Sequence, residues 1–444
     1  MAQNRLAIPL GLVAFLAALL TSNLASAQLL GPDNSRGGID PEDAVSPVSI
    51  VEGPGVKVGE GTVLHPIVGL ETGFVSNVFY TDQSPTGAGL LRLLAEIGTG
   101  SLSPQRETLN AEAAPGTAGD HGDFEYRADL HASYDFMLSG NDAVTAQDGL
   151  GGGVMVRGLV NPLRTWSFGF FEDFNRLIRP TNFESSDNIN RDINRLRLQL
   201  MFQPYGRSIS AALRYENTLD LFESDNDQFA NRFQHMFGLR VNYNLFPKTR
   251  VYVDLSQGVF TGIGSSTKVD SYPFTVLGGV QTYLGVNSTL VGRVGYTNGF
   301  YSTGPSYSSI VGGVDFGYRY SPFGRFTVTY SYEHQDSINA NFYRDHIIRG
   351  TLDHIFVPFE VIIQPELHFR EYDGITLVMG PPVRDDVVGA VQAEVRYNLR
   401  DWLATVVDYS FAEVSTDYRY TVEGMVTNPS YVRQEVLLGV RAAL

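Results

Sequence analysis

The chain contains no cysteine. That excludes a disulfide framework, a thiolate metal site and a thiol nucleophile. Lysine is nearly absent, with only Lys57, Lys248 and Lys268, and the net charge is −16. Nucleic-acid binding needs a basic footprint, so that class of partner is excluded. Tryptophan occurs twice. Charged residues make up 18% of the sequence, below the roughly 25% of an ordinary soluble domain. After residue 27 no run of about 18 uncharged apolar residues occurs, which excludes an ordinary transmembrane helix. What is abundant is glycine (46), tyrosine (23) and phenylalanine (27) in 444 residues. Length alone suggests two or three soluble domains, but this composition points to one large all-β unit.

Arg5 is the only charge ahead of an apolar run from Leu6 to Leu20, and Ala25-Ser26-Ala27 matches a small-x-small cleavage site. Residues 1–27 therefore read as a secretory signal peptide, cleaved between Ala27 and Gln28. The run is too short for a transmembrane anchor. Residues 28–61 hold Gly31-Pro32-Asp33-Asn34, Gly37-Gly38, Asp40-Pro41-Glu42-Asp43 and Gly53-Pro54-Gly55. Such a stretch buries too little apolar surface to fold alone, and it reads as a flexible periplasmic N-terminal segment.

From 62 to 444 the pattern has period two. Phe124, Tyr126, Ala128, Leu130, Ala132, Tyr134 and Phe136 alternate with Glu125, Arg127, Asp129, His131, Ser133 and Asp135. Phe326, Val328, Tyr330 and Tyr332 alternate with Arg325, Thr327, Thr329, Ser331 and Glu333. Strict alternation means a strand with one apolar and one polar face. Short connections, most of them with proline, alternate with long polar ones: Phe246-Pro247-Lys248 and Ser321-Pro322-Phe323-Gly324 are of the first kind. Short turns on one side and long loops on the other are the pattern of a transmembrane β-barrel. The expected strands are 62–80, 88–101, 122–138, 149–160, 164–177, 190–203, 206–221, 230–246, 248–261, 271–285, 287–301, 306–321, 324–337, 342–356, 358–372, 384–399, 401–416 and 430–444. This is an all-β, antiparallel up-and-down barrel of about 18 strands. Sixteen is the alternative, because Leu90, Leu91, Leu93 and Leu94 do not alternate cleanly and the linker 102–121 falls on the short-turn side.

In lipid an unpaired backbone group costs several kcal/mol, so such a sheet must close. Its apolar face then meets lipid and lipopolysaccharide, and its polar face lines a lumen. Candidate interface tyrosines are Tyr80, Tyr134, Tyr243, Tyr296, Tyr318, Tyr320, Tyr330, Tyr332, Tyr397 and Tyr409. The expected lumen lining over the first half is Arg127, Asp129, Arg195, Arg197, Arg214, Glu216, Arg240, Arg250, Asp254 and Arg293. Over the second half it is Asp315, Arg319, Arg325, Glu333, Arg349, Asp353, Glu360, Glu366, Arg370, Glu394, Arg396 and Asp408. Charges this numerous cannot sit dry and unpaired, so the interior must be hydrated or braced by ion pairs. Tyr252, Tyr283 and Trp402 fall on the inward phase and are candidate saccharide-stacking aromatics. The last strand sets Val432, Val436, Leu438, Val440 and Leu444 on one face, and an apolar terminal residue of this kind suits the barrel-assembly machinery of bacteria.

Two segments carry a family resemblance. Gly69-Leu70-Glu71-Thr72-Gly73-Phe74-Val75-Ser76-Asn77-Val78-Phe79-Tyr80 resembles the opening strand of the β-barrel porin 2 family. Members of that family open on an aromatic residue followed by Asp/Ser-Asn-Val-Phe/Tyr. Asn244-Leu245-Phe246-Pro247-Lys248-Thr249-Arg250-Val251-Tyr252-Val253 is similar to its internal turns. As a pattern the resemblance spans most of 62–444. It implies a bacterial outer-membrane barrel. Some members are associated with exopolysaccharide export, so polysaccharide-export proteins are implied partners.

No G-x-S-x-G elbow, Walker loop, H-E-x-x-H or glycine-rich dinucleotide turn occurs. No catalytic, cofactor or metal residue is therefore assigned, and the chain is expected not to be an enzyme. The reading is a passive channel for polar solutes. Its alternatives are a non-conducting structural or adhesion barrel working through its extracellular loops, a barrel-embedded hydrolase, and a secreted soluble all-β protein.

Overall fold

The structure, a computed structural model, describes residues 55–59, 62–100, 123–161, 164–178, 190–204, 208–225, 227–375, 383–422 and 425–443. The expected signal peptide, nearly all of the N-terminal segment and the linker 102–121 lie outside these residues.

A short strand, β1 (Val56–Gly59), precedes the barrel. The barrel begins with β2 (Thr62–Val75), β3 (Ala88–Gly100), β4 (Phe124–Leu138), β5 (Gly149–Val160), β6 (Trp166–Leu177) and β7 (Arg191–Phe202). It continues with β8 (Ile209–Phe222), β9 (Arg232–Phe246), β10 (Thr249–Gly262), β11 (Ser271–Tyr283), β12 (Ser288–Tyr301) and β13 (Tyr307–Ser321). β14 (Gly324–Asp336), β15 (Phe342–Phe356), β16 (Phe359–Asp373), β17 (Val383–Arg400) and β18 (Leu403–Thr416) follow. A small hairpin, β19 (Tyr420–Val422) with β20 (Met425–Thr427), stands in the next loop, and β21 (Tyr431–Ala443) completes the wall.

Each barrel strand pairs antiparallel with its chain neighbours, and β21 pairs with both β18 and β2. The result is a closed antiparallel barrel of 18 strands, which excludes the count of sixteen. Closure leaves no long free edge, the condition a sheet must meet in lipid. Strands of 12 to 18 residues are two to three times the length usual in soluble sheets. That length is what a tilted strand needs to cross a bilayer and both its interfaces.

The two faces are the reverse of a soluble protein's. On β2, Val68, Leu70 and Phe74 are 58%, 51% and 53% exposed, while Glu71 between them is 2% exposed. Among the described residues no helix is long and apolar enough to cross a membrane, which says nothing of strands. At the turn end, two-residue turns such as Pro247–Lys248, Pro322–Phe323 and Asp401–Trp402 join consecutive strands. Proline at the first turn position presets φ and supplies no donor to the ladder.

Several boundaries differ from expectation. The first strand stops at Val75 rather than at residue 80, because Ser76 and Asn77 turn the chain inward. The N-terminal segment is not irregular to its end: Val56 and Lys57 pair with Leu64 and Val63, filling the sheet position beyond the end of β21. β3 is continuous in register with both neighbours. Its leucines fail to alternate because Leu93 faces outward at 45% exposure while Leu90 and Leu94 face inward and are buried. Gly73 marks the tightest approach of the closing seam, where a Cβ would collide with the Val436 carbonyl oxygen.

Candidate functional site

The register assigns every strand residue to a face. Arg127, Asp129, Arg195, Arg197, Arg214, Glu216, Arg240, Arg250, Asp254, Arg293, Asp315 and Arg319 occupy the occluded, inner face. Arg325, Glu333, Arg349, Asp353, Glu360, Glu366, Arg370, Glu394, Arg396 and Asp408 share it.

Most of these charges brace one strand against the next. Arg293 reaches Asp315 on the next strand at 2.5 Å and Arg214 on β8 reaches past β9 to Asp254 on β10 at 2.5 Å, while Arg127 and Asp129, 2.6 Å apart, pair within β4. Arg325 pairs with Asp353 at 2.8 Å and Arg197 with Glu216 at 3.0 Å. Arg195 stands 4.0 Å from Asp173, and Arg349 pairs with Glu366. Arg240 donates to Asn242 at 3.1 Å, Arg250 to Asn244 at 3.0 Å and Arg319 to the Pro322 carbonyl at 2.9 Å. Glu333 accepts from Gln335 at 2.7 Å. The planar guanidinium suits this work because it meets a carboxylate with two parallel donors.

The densest network lies at the closing seam and was only partly legible beforehand. Arg396 holds Glu360 at 2.6 Å and Glu394 at 2.9 Å. Arg441 holds Glu71 at 2.7 Å and Asp408 at 3.1 Å, with Glu394 at 3.6 Å. Arg92 continues the belt to Asp135 at 2.6 Å and Glu435 at 3.2 Å. Glu71, Arg92, Asp135, Glu435 and Arg441 were missed by sequence reasoning, although each is on the inward phase of its strand. Higher in the wall, the His368 ring nitrogens meet Asp345 at 2.8 Å and Glu366 at 2.7 Å, and Arg370 meets Asp345 at 2.9 Å. These groups are buried, so each depends on its partner.

Burial varies over the inner face. The side chains of Arg325 and Arg197 keep 53% and 43% of their surface exposed, whereas those of Asp345 and Glu366 keep 0% and 1%. Toward the long loops the interior fills with apolar packing. Val78 and Val144, from the loops after β2 and β4, pack on inward Val75, Leu90, Met137 and Leu437. Tyr80 packs on Val388, Val414 and Tyr431, with its ring edge-on to Tyr431 at 5.3 Å.

The segment that carries the family resemblance builds part of this packing. Asn77 Nδ2 donates to the Thr81 carbonyl at 2.8 Å and to the Val432 carbonyl at 3.0 Å. Tyr80, expected at a membrane interface, is instead 6% exposed inside the mouth, at φ 53°. The other interface tyrosines lie on the outward phase.

The candidate stacking aromatics are poorly placed for a saccharide. The Arg240 guanidinium lies over the Tyr252 ring at 4.0 Å and Tyr252 is 8% exposed, so that face is taken. Tyr283 is half-buried at the turn end of β11. Trp402 stands in the turn ahead of β18, 48% exposed, where the strand register assigns it no face. Among the described residues, no cluster of three or more His, Asp and Glu side chains could hold a metal ion.

No protein-family model matches the chain, and no curated protein matches it. The likeness of Gly69–Tyr80 to the β-barrel porin 2 family therefore stays a resemblance. Solved structures match the chain at low identity. OccK2 (OpdF) of Pseudomonas aeruginosa is 10% identical, with 87% of this chain and 98% of that chain covered and a TM-score of 0.43. A BenF-like porin from Pseudomonas fluorescens Pf-5 is 10% identical, with coverages of 86% and 98% and a TM-score of 0.43. The siderophore receptor PirA of Pseudomonas aeruginosa is 8% identical, with coverages of 86% and 80% and a TM-score of 0.38.

Proposed function

We propose that this chain is a bacterial outer-membrane β-barrel that passes polar solutes passively. One observation carries the reading. A closed barrel presents an apolar outer wall and encloses an inner face some of whose charges keep much of their side-chain surface exposed, as at Arg325 and Arg197. A barrel of this strand number encloses an aqueous channel unless loops plug it. The decisive experiment is planar-bilayer conductance of the purified protein. Stable openings are expected, and their absence from correctly folded, heat-modifiable protein would sink the reading. Outer-membrane fractionation tests the location, and N-terminal sequencing of the mature chain tests cleavage after Ala27.

A second reading has its own support. The apolar packing of Val78, Val144 and Tyr80 inside the loop-side mouth favours a non-conducting structural or adhesion barrel. The same conductance experiment separates the two. Association with exopolysaccharide export rests on the family resemblance alone, since Tyr252 is already covered and Trp402 stands in a turn. Genes for polysaccharide polymerases and export proteins beside this one would support it. Lipid, lipopolysaccharide and the barrel-assembly machinery are the partners that an outer-membrane barrel of this kind requires.

A further inference from the structure

The seam between β13 and β14 is laced over only part of its length. Rising from the turn, its ladder ends at Gly312 opposite Tyr332. β13 continues beyond that point through residues 307–311, paired with β12. β14 continues through residues 333–336, paired with β15.

Register and contacts together show where the free edge of β14 lies. His334, Asp336 and Phe342 are on the outward phase of β14 and β15. Tyr301, Tyr307 and Arg232 are on the inward phase of β12, β13 and β9. Yet these two sets touch. The Tyr307 ring stacks on His334 at 4.3 Å and meets Phe342 edge-on at 4.8 Å. The Tyr301 ring lies 5.7 Å from Phe342, and its hydroxyl donates to the Asn341 carbonyl at 3.0 Å. Asp336 accepts from Arg232 at 2.5 Å. An outward side chain meets the inward side chain of another strand only if its own strand lies inside that other one. The end of the β14–β15 hairpin is therefore tucked behind β12 and β13, and the wall closes here by an overlap of rings. Ile310, on the rim of β13, is left 70% exposed, and its carbonyl accepts from the Ser309 hydroxyl at 3.0 Å. His334 Nδ1 is buried in the overlap with no hydrogen-bond partner among the described residues.

Crossing a laced seam means breaking a row of backbone hydrogen bonds, which lipid makes costly. Crossing the overlap means parting aromatic side chains, whose contacts are individually weak. We propose that the overlap is a lateral port, through which an amphiphile with one apolar chain and a small polar head passes between the lumen and the loop-side leaflet. The rings of Tyr301, Tyr307 and Phe342 hold the chain, and His334 Nδ1 meets a hydroxyl or carboxyl head. The inference rests on the outer-membrane barrel of the channel reading above and adds to it a second class of solute with its own path.

The probe is a long-chain fatty acid with a diazirine on its chain, added to the barrel in lipid vesicles and fixed by light. Label is expected on Tyr301, deep in the overlap, as well as on Tyr330, which is 42% exposed on the outer face. Phe342→Leu removes ring contacts and is expected to raise the Tyr301 label relative to Tyr330 by about two- to tenfold. The full chain has no cysteine, so Tyr307→Cys and Phe342→Cys can be joined by a short bifunctional thiol reagent without background. Joining them is expected to abolish the Tyr301 label and to leave Tyr330 labelled. Heat-dependent gel migration checks that each variant is a folded barrel. Label confined to Tyr330, in the parent and in Phe342→Leu alike, would overturn the port. So would Tyr301 label that survives the cross-link. Planar-bilayer conductance is read on the same protein. Conductance without Tyr301 label sinks the port and leaves the channel reading standing, whereas cross-link-sensitive Tyr301 label without conductance does the reverse.

Discussion

Arg441, on the last barrel strand, donates two hydrogen bonds to the Glu71 carboxylate on the first, at 2.7 and 3.0 Å, across 370 residues of sequence. The pair sits where a sheet becomes a barrel. β21 meets β2 only from Ile67 opposite Ala443 to Val75 opposite Glu435, whereas β16 and β17 pair from Phe359 to Asp373. The two side chains are 2% and 7% exposed. A dry ion pair of this kind stabilises chiefly by not leaving its partner alone.

Arg441→Leu removes the donor and leaves Glu71 with Arg92 at 3.8 Å, too far for a hydrogen bond. Urea unfolding from lipid vesicles is expected to show a loss of about 3–5 kcal/mol. Adding Glu71→Gln should recover part of it, because the stranded charge is then gone. A single variant as stable as the parent would refute the role of the pair in closing the barrel.

The assignment of faces is tested on one strand. Val294 is 62% exposed on the outer face of β12, and Val291 lies on the inner face opposite Asp315. Val294→Arg places a charge in lipid and is expected to cost about 2–4 kcal/mol if it sits near the midplane. Val291→Arg meets water and a carboxylate and should cost much less. Folding titrations giving equal costs would mean that the faces are wrongly assigned.

Asn77 ties the loop after β2 to the last strand. Asn77→Ala removes the bonds to Thr81 and Val432 and is expected to loosen the loop by about 1–3 kcal/mol. Chymotrypsin should then cut near Phe79 and Tyr80 faster in the folded barrel. Cleavage at the parental rate would show that the packing of Val78 and Tyr80 holds the loop without Asn77.

Arg197 and Arg325 keep 43% and 53% of their side-chain surface exposed on the inner face. Arg197→Glu and Arg325→Glu are expected to move the reversal potential in a salt gradient toward cation selectivity. The shift should shrink as salt rises, since the screening length falls from about 30 Å at 0.01 M to about 3 Å at 1 M. No shift at low salt would mean that the solute path does not run past these residues.

Alternation made the strands legible, because a half-buried strand writes its two environments into odd and even positions. It worked for β4 and β14, whose inner faces carry charges and whose outer faces carry rings. It weakened at β3, where Leu90 faces a mouth packed with loop residues and Leu94 is buried on the same inner face, so that both look like lipid-facing positions. The same cause displaced the end of the first strand: Val78 and Tyr80 are apolar because loops fold inward over them. Individual lumen charges were legible one strand at a time. The seam belt was not, since Glu71 and Arg441 are neighbours only after closure.

The sequence by itself determined the architecture: an antiparallel barrel of about 18 strands with sixteen left open, the two faces, the alternation of short turns and long loops, and an interior that must be wet or ion-paired. These are local properties, set by side-chain period and turn chemistry. Only the tertiary structure decided for 18 strands over sixteen, which charges meet, that Arg240 covers Tyr252, and that Arg232 meets Asp336 while Lys268 donates to the Ala340 carbonyl. Those relations join residues far apart in the chain, and their geometry comes into being only when the barrel closes and the loops settle over its end.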